Sequence, residues 1–316
     1  MRNNRFLRIC KETLRPTYRT AIWLLKLMLP IMLAVSILSY MGVIEKISDF
    51  FTPIFQVIGL SGEASIVFIT SMLVNVYSAI GVMAGLTLDT RELVILVTMC
   101  LISHNMIIEG KVQQKAGANP IIMTILRLSM SFISAIVLNF IMPEKMGGNL
   151  VLGSVGVRPN SLGDVFFQWF NTAYPLVIKV IVVIYFLNLL QAVLKEYKLM
   201  SLLQKPLYPL MNLLGLPKST TLAWIIANTL GLTYGGLAIS EEVNRGVITH
   251  QESLYLNSSI AITHSLLEHT MLFVAIGIPA MWLIIPRLSL SIVAVWGQHL
   301  FTYLRVHKNR KIENKI

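Results

Sequence analysis

The chain has 316 residues, 55% of them hydrophobic and only 13% charged, with a formal net charge of +11. Soluble domains carry nearly twice that charged fraction, so the composition excludes an ordinary soluble enzyme and indicates a polytopic membrane protein. The positive charge is placed at the ends: Arg2, Arg5, Arg8, Lys11, Arg15 and Arg19 precede the first apolar run, and Arg305, Lys308, Arg310, Lys311 and Lys315 follow the last. Such placement marks the cytoplasmic side of membrane spans, and its use is topology and contact with lipid headgroups rather than nucleic acid. Both termini are therefore expected in the cytoplasm. The two cysteines, Cys10 and Cys100, are far apart in sequence and form no disulfide framework or CxxC site.

In chain order, residues 1–19 are a basic tail and Thr20 to Gly42 is the first span, interrupted by Lys26 and Pro30. Ile44 to Ile58 is amphipathic and contains Pro53, the pattern of an interfacial helix. After a Gly59-Leu60-Ser61-Gly62 turn, Glu63 to Leu88 carries Asn75, Tyr77 and Ser78 with Gly81 and Gly85 close behind. A buried amide beside glycines predicts a broken membrane helix. Next comes Glu92 to Gly117, an apolar run containing Ser103, His104, Asn105 and Glu109, and then a span from Pro120 to Met142 with one arginine, Arg127. A polar, Gly-rich connector over 143–170 divides the chain, and a second half, 171–304, precedes the tail 305–316.

The second half restates the first. Asn228 with Gly231, Gly235 and Gly236 answers Asn75 and its glycines. Thr263-His264-Ser265 with Glu268-His269 answers Ser103-His104-Asn105 with Glu109. Both polar elements start alike, at Asp89-Thr90-Arg91-Glu92 and at Thr249-His250-Gln251-Glu252, each an oxygen-bearing cap followed three positions on by Glu. The loops after the first span of each half have opposite charge character: Glu45, Asp49 and Glu63 in one, Lys195, Lys198, Lys205 and Lys218 in the other. Equivalent loops of opposite charge belong on opposite sides of a membrane. The expected fold is thus an all-α integral membrane protein of two inverted repeats with broken or re-entrant helices, turning at Glu109-Gly110 and Glu268-His269. The alternative is eight plain spans in two parallel four-helix repeats.

Polar and ionisable groups at membrane depth are costly and by default face a protein interior or a wet cavity. Asn75, Tyr77, Ser78, Ser103, His104, Asn105 and Glu109, with Asn228, Tyr234, Thr263, His264, Glu268 and His269, are the candidate lining of a midplane substrate site. A purely structural use, in which these groups satisfy one another, stands beside that reading. His264 and Glu268 share a helix face at four-residue spacing, but His104 and Glu109 do not, and no tight HxxxH or HExxH motif occurs; no metal site and no cofactor is assigned. Lys26, Lys179 and Arg127 are read as snorkelling or locally paired, the 16 methionines as packing residues, and Glu241-Glu242 as a solvated acidic loop or a pocket mouth. No positioned nucleophile–base pair appears, so no enzymatic role is expected.

These glycine-flanked asparagines and capped helices ending in Ser103-His104-Asn105 and Thr263-His264-Ser265 resemble the nucleoside recognition (Gate) domain proteins. That group is similar to the spore maturation membrane proteins and to the membrane portions of concentrative nucleoside transporters and of ferrous-iron transport protein B. The resemblance covers about residues 20–142 and 171–303. It implies two gate-like modules in a bacterial inner membrane and transport of a nucleoside-like solute, with divalent metal ion permeation or a non-transporting assembly or regulatory subunit as alternatives. The expected partners are a small polar solute or ion and membrane lipids; a homo-oligomer fits as well. Neither a GTPase domain nor the extra scaffold spans of a full nucleoside transporter is seen.

Overall fold

Backbone at membrane depth must satisfy its own N–H and C=O groups, and this chain does so with helices. The computed structural model describes residues 2–86, 88–144, 146, 159–197 and 199–313, and no strand occurs among the described residues. The first half forms α1 (Arg2–Tyr40), α2 (Val43–Val57), α3 (Ala64–Leu73), α4 (Val76–Ala84), α5 (Thr90–Ser103), α6 (Met106–Lys115) and α7 (Pro120–Ile141). The second forms α8 (Leu162–Glu196), α9 (Leu199–Leu213), α10 (Thr221–Leu230), α11 (Leu232–Asn244), α12 (His250–Thr263), α13 (Leu266–Ala275) and α14 (Ala280–Glu313), with a 3-10 turn at Lys218–Thr220 before α10. Each half thus runs long helix, proline-containing helix, broken pair, second broken pair, long helix.

Among the described residues, five stretches are long and apolar enough to cross a membrane: Leu7–Tyr40, Thr90–Lys115, Pro120–Ile141, Leu162–Glu196 and Ala280–Arg305. Large apolar side chains such as Trp23, Phe140, Phe167 and Leu300 point outward from α1, α7, α8 and α14, the surface a lipid environment favours. The protein is an all-α integral membrane protein. Its centre is α5 and α12. Every residue of α5 from Glu92 to Ser103 is buried, as is Tyr255 to Thr263 of α12, and a helix enclosed on all sides belongs in the interior. α5 packs on α7, α12 and α14; α12 packs on α7 and α14. The matched long helices α1 and α8 pack together. Arg8 near the start of α1 pairs with Glu196 at the end of α8 at 3.1 Å, and Asn188 Nδ2 donates to Thr17 Oγ1 at 3.2 Å, so the two run antiparallel.

Local signals set most boundaries. Asp89 accepts from the Glu92 N–H at 2.8 Å, and Thr249 and Glu252 exchange both bonds of a capping box. The Glu92 carboxylate also accepts from the Ser61 N–H at 2.6 Å, tying the α2–α3 turn to α5. Asn119 caps α7 with Pro120 in the first turn.

Several boundaries differ from the sequence reading. The basic segment 1–19 is no separate tail in its backbone: helix runs through it, with Ile9, Thr13 and Thr17 buried. Helix α8 begins at Leu162, inside the stretch read as connector, where Ser161 and Asp164 form a capping box. Residues 147–158 of that connector lie outside the described residues. The turns expected at Glu109-Gly110 and Glu268-His269 lie five and four residues earlier, at His104-Asn105 and His264-Ser265; Glu109 and Glu268 sit in the first turns of α6 and α13. There the free N–H groups of the helix start favour a carboxylate.

Candidate functional site

The site is built from two helix breaks. At the end of α5, His104 is extended (φ −71°, ψ 158°) and Asn105 is left-handed (φ 49°, ψ 37°) before α6 begins. At the end of α12, His264 (φ −46°, ψ 153°) and Ser265 (φ 51°, ψ 30°) repeat the pattern. Among the described residues these two are the non-glycines with positive φ. A break frees carbonyls of the last helical turn, which in a buried position need new donors. Two arginines supply them. Arg127 Nε donates to Ile102 O at 2.7 Å and its Nη2 to His104 O at 2.6 Å. Arg287 makes the equivalent pair, Nε to Ile262 O at 2.9 Å and Nη2 to His264 O.

The breaks are also tied to the neighbouring broken helices. The Asn105 N–H donates to Ser71 O near the end of α3, and the Ser265 N–H to Ala227 O in α10, at 2.9 and 3.0 Å. Those helices stop three to four residues later, at Val74-Asn75 and at Gly231. Asn75 Oδ1 caps α4 by accepting from Ser78 N and Ser78 Oγ. In the second half the position is held by Gly231 (φ 90°), a backbone conformation that only glycine adopts without strain.

The two histidines meet. His104 Nε2 and His264 Nε2 are 3.3 Å apart, with exposures of 2% and 0%. Each ring's Nδ1 faces the carbonyl four residues back, Cys100 O at 3.2 Å and Ile260 O at 2.8 Å, which fixes the proton on Nδ1. Between the rings lies Glu109, with Oε1 3.2 Å from His104 Nε2 and Oε2 3.1 Å from His264 Nε2. Arg127 pairs with Oε2 from behind at 2.7 Å. The ligand atoms of His104, Glu109 and His264 lie within 4.8 Å of one another, so these three are the residues placed to hold a metal. His269 packs its ring edge on His104, centroids 4.6 Å apart.

The sequence reading had matched Glu109 with Glu268. The step between the halves here is 160 residues throughout, from Ser103/Thr263 to Arg127/Arg287, so the counterpart of Glu109 is His269. Arg127 therefore has a carboxylate and, among the described residues, Arg287 has none; its Nη1 has no hydrogen-bond partner. Glu268 turns to the other half and accepts from Tyr77 Oη at 2.9 Å.

Of the candidate residues, His104, Glu109, His264 and His269 are brought together, and Tyr77 with Glu268 forms a second bridge between halves. Ser103 and Thr263 are buried and bond to backbone carbonyls. Asn75 and Ser78 cap a helix. Asn228 is not the counterpart of Asn75: it lies inside α10, donates to Trp224 O at 2.9 Å and leaves Oδ1 unpartnered. Tyr234 does not join the cluster. It is 60% exposed because Gly235 and Gly236 present the buried face of α11 to Ala227 and Val112.

Arg127 is 1% exposed and does not snorkel; of the two readings it is the locally paired one, through Glu109. Arg287, equally enclosed, escaped the sequence reading, although the 160-residue step from Arg127 points to it. Glu241 pairs with Arg245, and burial followed by the charge of Glu241 pushes the Glu242 carboxyl above its ordinary value.

Fold and site together define a membrane protein with paired helix breaks and a sealed ionic centre. Residues 21–112, α1 through the first break and into α6, match the family model described as Gate, nucleoside recognition. The chain is 25% identical over 278 residues to a protein of Bacillus subtilis (strain 168) called uncharacterized membrane protein YvoD, an alignment covering 87% of this chain and 89% of that one. No solved structure matches the chain. The Gate resemblance thus rests on the segment that carries His104 and Glu109.

Proposed function

We propose that the protein is a transporter or permease-like protein of the inner membrane that moves a small polar solute, nucleoside-like as first choice, between two inverted gate-like repeats. The observation carrying this reading is the meeting of both helix breaks at one buried point, His104 against His264 at 3.3 Å. Helix breaks at membrane depth are the usual construction of a secondary-transporter site. Beside that contact, Arg287 Nη1, His269 Nδ1 and Asn228 Oδ1 have no hydrogen-bond partner. A buried polar atom left unpaired costs about 1–3 kcal/mol, and a solute bearing both donors and acceptors would satisfy this set. The antiparallel packing of α1 on α8 supports inversion, as does the opposite charge of their following loops. On this reading both termini are cytoplasmic, no enzymatic step is involved, and the match to the nucleoside recognition model sets the first solute to try.

The test is uptake of a radiolabelled nucleoside into liposomes containing the purified protein. Flux above that of empty vesicles, lost in His264→Ala, is the expected result. Flux equal to that of empty vesicles over a panel of purine and pyrimidine nucleosides removes the nucleoside reading.

A further inference from the structure

We infer that His104, Glu109 and His264 form a binding site for a divalent transition-metal ion of the zinc class, held between the two halves of the protein. The first argument is that the neutral rings, held by their Nδ1 partners, turn acceptor atoms toward each other and toward the carboxylate. With both Nδ1 atoms donating to Cys100 O and Ile260 O, the two Nε2 atoms and the two carboxylate oxygens present four lone-pair acceptors to one another. Arg127 balances Glu109 Oε2, and a cation held between the two rings and the carboxylate would relieve the repulsion that remains. A proton bridges two atoms along a short line, whereas here three groups converge at nearly equal spacing.

The spacing is the second argument. Zinc–nitrogen and zinc–oxygen bonds of about 2.0–2.1 Å set at tetrahedral angles put neighbouring ligand atoms about 3.3–3.4 Å apart. The observed separations are 3.3 Å between the two Nε2 atoms, 3.2 Å from His104 Nε2 to Glu109 Oε1 and 3.1 Å from His264 Nε2 to Glu109 Oε2. They set the two ring nitrogens and the carboxylate at the spacing of ligands that share one ion, with Oε1 facing His104 and Oε2 facing His264. Two imidazoles and a carboxylate suit zinc, cobalt or nickel better than the hard ions calcium and magnesium.

The surroundings are those of metal-bound histidine. Each ring's second nitrogen is held by a backbone carbonyl, which fixes the tautomer and the ring's direction, and Arg127 holds Glu109 from behind. That arginine also sets the strength. Its charge offsets the single negative charge of the ligand set, so the ion is held less firmly than in a structural thiolate site and exchanges. Three protein ligands leave a fourth position for water or solute. Because His104 and Glu109 belong to the first half and His264 to the second, a bound ion clamps the halves together. Its part in a transport cycle rests on the proposed transport; the site itself does not.

The test uses the full-length protein in nanodiscs, with cobalt(II) as the probe. One equivalent should give the visible absorption bands of tetrahedral cobalt, removed by equimolar zinc. His264→Gln should weaken cobalt binding by at least 100-fold, while His250→Gln, an exposed histidine at the start of α12, should leave it unchanged. Absence of the tetrahedral spectrum from the unaltered protein overturns the inference whatever the variants do. So does equal binding by His264→Gln. Nucleoside flux without cobalt binding removes the metal and leaves transport standing; cobalt binding without flux of any nucleoside supports the metal site and counts against transport.

Discussion

At Arg127 one guanidinium meets two freed carbonyls and a carboxylate, while at Arg287 it meets two carbonyls and no acid among the described residues. Removing one member of a buried ion pair costs about 3–5 kcal/mol, chiefly because the remaining charge is stranded. Arg127→Met should therefore destabilise by at least that much, and adding Glu109→Gln to it should restore a measurable part. Arg287→Met strands no carboxylate and should cost less than Arg127→Met. Chemical denaturation in mild detergent orders the three variants. Arg127→Lys should not rescue, since an ammonium lacks the planar fork that reaches several acceptors at once. The roles of both arginines were hidden in the sequence for the same reason. A lone arginine in an apolar run reads as a snorkelling residue, and only the carbonyls opened by a break two dozen residues earlier explain its burial. His104 and His264 were legible because a histidine deep in an apolar run has little to do except meet another polar group.

The broken helices show how far local signals reach. Caps at Asp89 and Thr249 were readable because an oxygen-bearing side chain followed three positions on by Glu has one favourable use. The breaks lie four to five residues before the expected turns at Glu109-Gly110 and Glu268-His269. The chain instead turns on Asn105 and Ser265, residues that pass through the left-handed region at a cost of about 1–2 kcal/mol. Asn105 and Ser265 are held there by hydrogen bonds to α3 and α10, contacts distant in sequence that no local pattern reveals. Ser265→Gly should remove the strain and raise unfolding stability by up to about 1 kcal/mol, whereas Ser265→Val should lower it. Thermal unfolding of the two variants beside the parent protein checks the sign. Equal loss in both would mean that the serine side chain, rather than its backbone, holds the break.

For the whole molecule, the repeating order of elements was legible from hydrophobic runs and their punctuation, while the register was not. Matching Glu268 to Glu109 seemed natural by residue type, but the arginine–carbonyl bonds fix a constant step and put His269 in that place. Charge bias in the loops favours opposite directions for the halves, and an expected topology follows from it. A reporter fused at position 155 should read as external, and reporters at both ends as cytoplasmic. A cytoplasmic reading at 155 rejects the inverted arrangement and favours parallel halves.

The presence of His269 where the first half has Glu109 makes the two halves chemically unequal at the buried point where their helix breaks meet. Two modules of like shape, set head to tail, can in principle trade conformations at no energetic cost, leaving inward-open and outward-open forms equally populated. Here the acid belongs to one module only, so the trade is uneven. One form keeps Glu109 on Arg127, and a mirror form would need an acid beside Arg287 that no described residue supplies. Under the transport proposed above, the resting form would therefore be biased to one side of the bilayer, and a bound ion or solute that compensates Arg287 and the histidines would favour crossing to the other.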